Sequence, residues 1–401
     1  MTKRTSKEVL FLAYIAMLAV AVTLQAIPPL MGFLVPVLDI SHGQAGALMS
    51  FYAFPGILMS IPGGFLTDIY GPKQVGTAAL GIIVMGTLLV GLGNTFLLLL
   101  IGRVVAGIGG AVVGLAAPQT ISHWFSEQDV GSAMGIFHTA MPLGTVLALN
   151  LFGRFAGFWG WRMPILLTAA YALIVLVLFM LRHPGLPKQG HTGESKQPKM
   201  KEIAENIRHA GWPVWQTAAV WMMFNASALA FVTFAGDYYT SIGYDVGYAG
   251  FLASLFMLGS LLFSPITGRL IDRTGKEQVY MISGCALLAL VMLLVPLTNL
   301  NPLLLGGLVG LAGGMVPAPV FAMIPKLLPK AQAGIGYGIL STLANIGMLM
   351  GPLVIGFSYD RMQNYIIGFY LMAAFAATAV VVAIFLKTPT PHLIKKEGKH
   401  H

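Results

Sequence analysis

Charge is what this chain of 401 residues lacks: only 9% of it is Asp, Glu, Lys or Arg. A soluble domain carries roughly 25%, so a water-soluble globule is excluded. Cysteine is nearly absent too. Cys285 stands alone in an apolar segment, which rules out an intramolecular disulfide and leaves the redox compartment unreadable. Long polar stretches are missing except at 183–212, so there is no room for an aqueous catalytic domain. The chain also has no G-x-x-x-x-G-K-S/T phosphate loop, metal-ligand cluster, Ser-His-Asp arrangement or basic-aromatic patch. We therefore expect no enzyme activity, cofactor, metal or nucleic-acid partner, and no use of ATP as the energy source.

What is present is apolar. Hydrophobic residues make up 57% of the chain, and the mean hydropathy is +0.80. The 48 glycines and 23 prolines suit membrane helices, where small residues let helices approach and neighbours satisfy broken backbone bonds. A spanning helix needs about 20 apolar residues, and twelve such segments can be drawn, from 8–37 to 363–387. The first is too long for a signal-peptide core and is expected to be retained.

The net charge of +9 reflects topology rather than nucleic-acid binding. With the N-terminus inside, the outer side holds Arg154, Arg162 and Arg361, and Arg103 lies within a span. The other Lys and Arg residues all fall on the side that carries the termini. By the positive-inside rule, both termini are expected in the cytoplasm of a cell membrane, with the bilayer as constant partner.

One signature occurs twice. Gly64-Phe65-Leu66-Thr67-Asp68-Ile69-Tyr70-Gly71 is answered by Gly268-Arg269-Leu270-Ile271-Asp272-Arg273-Thr274-Gly275. The match continues upstream, where Ala45, Gly46, Leu48 and Ser50 correspond to Ala249, Gly250, Leu252 and Ser254. Internal duplication in so apolar a chain points to a transporter of two halves with its site between them.

The repeated turn resembles the loop motif of the major facilitator superfamily, G-x-L-x-D-R-x-G-R-K. The second copy fits through Gly268, Leu270, Asp272, Arg273, Gly275 and Lys276. The first departs at Ile69 and Pro72 and keeps Lys73. The resemblance implies an all-α membrane protein of twelve transmembrane helices in two six-helix bundles related by pseudo-two-fold symmetry. The halves are expected at 1–187 and 212–401, with a cytoplasmic linker at 188–211. Met200, Ile203, Ala204 and Ile207 in that linker have the spacing of a short amphipathic helix. The resemblance also implies that Asp68 and Asp272 hold the cytoplasmic ends of the bundles together in the outward-facing state, and that helices 1, 4, 7 and 10 line the cavity.

Arg103 is the most informative single side chain. An intramembrane charge is costly unless it faces a cavity or a partner, so function is the default reading. Arg103, Gly107 and Gly109 resemble a second superfamily motif, R-x-x-x-G-x-G. At 100° per residue, Gly107, Gly110 and Gly114 fall within about 40° of Arg103. A cation above a glycine-lined groove lets either a ligand or another helix approach. It anchors an anion, or it bonds the backbone carbonyls of a neighbouring helix and orders the packing.

No Asp or Glu falls in the middle of any predicted span, whereas carriers of organic cations normally place a carboxylate in the cavity. His138 is the mid-membrane histidine; it is either the first candidate for a coupling proton or a neutral imidazole bonded across helices. Asp237, beside Tyr238 and Tyr239 near the outer end of helix 7, is the second candidate, for proton entry or outer gating, or else a solvated helix end beside an interfacial aromatic belt. Gln25 and Asn225 occupy corresponding places in helices 1 and 7. Their amides either bind substrate or join helices. The expected function is secondary transport of a small organic or inorganic anion by alternating access, coupled to protons, in a monomer. The alternative is proton-driven export of drugs or other amphiphiles.

Overall fold

The computed structural model describes residues 3–59, 62–126, 129–185, 210–329 and 333–386, and every regular element among them is helical. Eleven segments are long and apolar enough to cross a membrane. The twelfth pass is broken. It runs through α3 (His42–Ser50) and α4 (Phe54–Met59) into the first turns of α5 (Pro62–Leu92). The linker at 188–211, with its amphipathic stretch, lies almost wholly outside the described residues. We call inner the face on which residues 3 and 386 lie, and outer the opposite one.

Helix 1 is not the single rod its hydropathy predicts. It divides into α1 (Lys3–Leu24), a 3-10 turn at Pro28–Leu30 and α2 (Met31–Leu38). Pro28 and Pro29 supply no N–H, so the ladder stops at Leu24 and leaves its last carbonyls seeking donors. Ser41 then restarts the chain with a capping box: Gln44 N–H bonds Ser41 Oγ at 3.1 Å, and Ser41 N–H bonds Gln44 Oε1 at 2.9 Å.

Helix 3 completes α5. Helix 4 is α6 (Phe96–Trp124), capped by Thr95, and helix 5 is jointed at Thr139 between α7 (Val130–His138) and α8 (Ala140–Trp159). Helix 6 is α9 (Arg162–Arg182). The second half contributes α10 (Trp212–Ser241), α11 (Val246–Thr274) and α12 (Glu277–Leu297). Helix 10 breaks at Val316 between α13 (Pro302–Met315) and α14 (Pro317–Leu327), where three prolines cluster. It is followed by α15 (Ala333–Met362) and α16 (Ile366–Ile384).

The duplicated turn has a backbone reason. Gly71 has φ of 78° inside α5, and Gly275 has φ of 62° just beyond α11. Both are positive-φ stops that glycine adopts without Cβ strain, Gly275 as a left-handed cap, and they end helices 2 and 8 at matching places.

Lipid is as apolar as leucine, so helices in a bilayer are held by close packing rather than by burial from water. The glycine series of helix 10 serves that end within its own half. A Cβ on Gly306 or Gly310 would strike Leu255, and one on Gly314 would strike Phe263, all on α11. Gly347 and Gly351 likewise seat on the backbone of Met222 and Ala226 in α10.

Between the halves the tight contacts cluster at the outer end. Gly46 abuts Pro352 O, Gly356 abuts His42 O, and Gly250 abuts Leu149 O, each without room for a Cβ. The outer end is closed.

Candidate functional site

Arg103 lies on α6 with only 1% of its surface exposed. Its Nε donates to Leu48 O at 2.7 Å, and one terminal nitrogen to Thr23 O at 2.5 Å. The other terminal nitrogen donates to Leu24 O at 2.8 Å and lies 3.8 Å from Met49 Sδ. These acceptors include the carbonyls freed where helix 1 stops, so the side chain completes two interrupted helices at once. Beneath it, the Tyr52 ring lies 4.6 Å from the guanidinium carbon, a cation–π arrangement. Of the glycine face expected beside Arg103, two members receive that same turn, Gly107 abutting Tyr52 O and Gly110 the Tyr52 hydroxyl, while Gly114 has open space beside it. The approaching group is therefore a helix, and in this conformation the guanidinium has no face open to a ligand.

In front of this centre lies an apolar roof. Leu24, Met49, Tyr52, Ala106 and Leu229 pack together with Met141 and Met348, joining the two halves. Asn225 sits one turn to the inner side of Leu229 on α10. Its Nδ2 bonds Trp221 O of its own helix at 2.7 Å. Trp221 stacks on Phe224 at 5.5 Å and meets Phe321 edge-on, and Phe321 stacks on Tyr337. Phe321 is 44% exposed, so an aromatic wall continues inward from Asn225. Sequence reasoning missed this wall, because its members come from three helices.

Gln25 is buried at the helix 1 break, and among the described residues its Oε1 has no partner. The hydroxyl oxygens of Thr23 and Ser50 are likewise unpartnered among the described residues. His138 closes α7 and is exposed, with an edge contact to Phe137 at 5.4 Å. It lies one turn to the inner side of Met141. Next to it, Thr139 bonds Tyr14 Oη at 3.3 Å. The structure thus separates the residues singled out from sequence: Arg103 and Gln25 lie in or behind the roof, and Asn225 and His138 below it.

Asp237 is elsewhere, at the outer closure. His42 Nε2 lies 3.2 Å from Asp237 Oδ2 and Tyr365 Oη donates to the same oxygen, so the carboxylate bridges the halves. Gly43 N–H bonds Asp360 Oδ2 at 2.9 Å beside it. The His42 ring lies 4.0 Å from that of Tyr359. Burial, and then the adjoining carboxylate, push the Tyr365 phenol well above its ordinary value, so it remains a donor. The tyrosines beside Asp237 hinted at this site, but His42 gave no sequence signal.

Of the duplicated turns, Gly64 lies in α5 and Gly268 in α11, and the side chain of Asp68 lies outside the described residues. Asp272 and Arg273 are exposed, and Asp272 makes no ion pair among the described residues. The inner end of the second half is tied instead by Lys326 and the buried Glu277, 2.5 Å apart.

The family model described as "Major Facilitator Superfamily" matches residues 10–251 and 217–401. Two relatives of similar length carry nitrate in their names. "Probable nitrate transporter NarT" of Staphylococcus epidermidis is 26% identical over 385 residues, covering 92% of each chain. "Probable nitrate/nitrite transporter NarK2" of Mycobacterium tuberculosis is 26% identical over 350 residues, covering 85% of this chain and 87% of its own. The human "Lysosomal dipeptide transporter MFSD1" is 22% identical over 358 residues, covering 84% and 77%. A bacterial homologue of the human lysosomal transporter Spinster, solved inward-facing and unoccupied, superposes with a TM-score of 0.76 at 17% identity, covering 96% and 97%. The chain belongs to the major facilitator superfamily and is a multi-pass membrane transporter.

Proposed function

We propose that this transporter carries a small anion across the cell membrane by alternating access, driven by protons, as a monomer with both termini cytoplasmic. The observation that carries the reading is the buried, unpaired positive charge of Arg103 directly behind the roof, with no carboxylate in the middle of any described span. A fixed cation in a low-dielectric wall favours an anion in the adjoining space. Relatives named for nitrate, matching nearly end to end, support the same class. In this reading Arg103 sets the potential, and Gln25 lends its amide when the helix 1 break opens. Asn225 and His138 meet the anion below the roof. His138 below and Asp237 above bracket the path, as a proton route requires. Asp68 and Asp272, with Gly64, Gly71, Gly268, Arg273 and Gly275, act when the inner ends close.

The aromatic wall of Trp221, Phe321 and Tyr337 supports a second reading, a larger and partly apolar substrate such as a dipeptide or amphiphile. Uptake into proteoliposomes decides between them. Under an inward proton gradient, nitrate or a similar small anion is expected to accumulate, and His138→Gln to flatten the pH dependence without stopping exchange. Accumulation of dipeptide but not of small anions would replace the first reading by the second.

A further inference from the structure

We propose that His42 and Asp237 form a proton-binding pair that operates the outer gate, taking up a proton from the outer side as the gate closes. The inference deepens the proton-coupled reading and rests on it for its place in the transport cycle. His42 is the first residue of α3 in one half, and Asp237 is on α10 of the other, so opening the outer end must separate them.

The hydrogen-bond network sets the tautomer. An ionised carboxylate only accepts, and Asp237 Oδ2 already accepts from Tyr365, so His42 Nε2 is the protonated nitrogen. His42 Nδ1 makes no hydrogen bond among the described residues. A proton arriving there turns the hydrogen bond into an ion pair without moving an atom. The pair is partly shielded, with side-chain exposures of 20% and 16%, so the added charge is felt more strongly than on an open surface.

The surrounding groups leave the pair to itself. Tyr359 packs tilted against His42, Tyr365 donates to Asp237, and Tyr238 packs edge-on to Tyr365. Asp360 is occupied by Gly43 N–H, and the neighbouring Arg361 is exposed. Across helices 5 and 8, Asp245 caps α11 while Arg154 lies over Gly247. A cavity of about 50 Å³ lined by Asp237, Gly32, Pro28, Pro29 and Thr240 adjoins the carboxylate. A water needs about 10–15 Å³, so the cavity has room for water against the carboxylate while the gate is shut.

Proton binding is thus linked to closure. A proton on His42 finds its counter-ion only when the outer end is closed, so acid on that side shifts the protein towards the present conformation. Histidines change charge between about pH 5 and 8, which sets the window to scan.

The test uses the full chain with Cys285→Ser, Phe158→Cys and Asn299→Cys, spin-labelled at these two exposed outer positions, one per half. Distance distributions without substrate give the ratio of closed to open molecules. That ratio is expected to rise about fivefold or more between about pH 8 and pH 5.5, the lower range of allosteric couplings. His42→Gln keeps a donor but cannot gain charge, so its ratio should not respond to pH. Asp237→Asn, an independent variant, should lose the response and shift towards open. An unchanged pH response in either variant overturns the inference. Gradient-driven uptake is measured separately. If uptake ignores the gradient while the His42-dependent shift persists, the pair stands and the proton-coupled reading fails.

Discussion

Replacing Arg103 by alanine removes three charge-assisted hydrogen bonds at 2.7, 2.5 and 2.8 Å and the contact with the Tyr52 ring. Each such bond contributes about 1.5–3 kcal/mol net, and the cation–π contact about 0.5–2 kcal/mol. Against this, alanine relieves the desolvation of a buried guanidinium, several kcal/mol. The carbonyls of Thr23, Leu24 and Leu48 lose their donor in a place water does not reach. The net expected loss is about 3–5 kcal/mol, a fall of roughly 4–6 °C in the melting temperature of a protein this large at about 2.1 cal/mol/K per residue. Lysine keeps the charge but cannot span three carbonyls, so Arg103→Lys should fall between alanine and wild type. Arg103→Met, similar in length and uncharged, should resemble alanine. Thermal unfolding of the purified protein, with and without nitrate, reads all three variants. If alanine and methionine melt as wild type does but lose stabilisation by the anion, the clamp reasoning is refuted. Arg103 would then be a ligand anchor in a conformation other than this one.

Three further outcomes follow from the packing and electrostatics. Gly250→Val places a side chain against Leu149 O across the outer closure, so spin labels at 158 and 299 should report mainly separated outer ends. Lys326→Met leaves the buried Glu277 carboxylate without its partner, and chemical unfolding should show a loss of about 1–2 kcal/mol, since Lys326 is half-exposed. His183 is held down to about 4, first by burial and then by the Lys73 ammonium. The unfolded chain, with its reference value of about 6.5, then binds the extra proton, so stability falls as pH drops from about 6.5 towards 4. His183→Gln should remove that decline, about 1–3 kcal/mol, in unfolding midpoints measured across this range.

Span number, duplication and two-half plan were legible because each rests on a pattern that runs along the chain. Hydropathy repeats every span, and Gly71 and Gly275 each mark a positive-φ stop at the matching place in its half. The breaks were less legible. Pro28, Pro29 and Pro317 announce that helices 1 and 10 bend there, whereas the joints in helices 2 and 5 are marked only by Pro55 and Pro142, which leave the carbonyls of Phe51 and His138 without their helical donor. Arg103 shows the limit for a site. Its charge and glycine face are local facts, and they left open whether a ligand or another helix fills the groove. What fills the groove comes from residues 48 and 52 of another helix, and spacing along α6 holds no information on that. His42 shows the converse case. It sits beside Ser41 at a helix start, where a polar residue needs no special reason, and its meaning comes only from Asp237 on the other half.

These two sites divide the work of alternating access by their chemistry. The roof is an apolar cluster backed by Arg103, whose bonds all stay within the first half. Opening the outer end need not break any of them, so the charge remains satisfied through the cycle and its field remains fixed. The outer closure is the opposite. Its polar contacts, His42 with Asp237 and Gly43 with Asp360, cross from one half to the other and must be exchanged for water on each opening. A contact that water can replace has a small net free energy, and a small free energy is what one proton can tip. A buried guanidinium with three carbonyl partners would be too costly to release on every cycle. The permanent charge therefore belongs within one half and the titratable one between the two, which is where this chain places them.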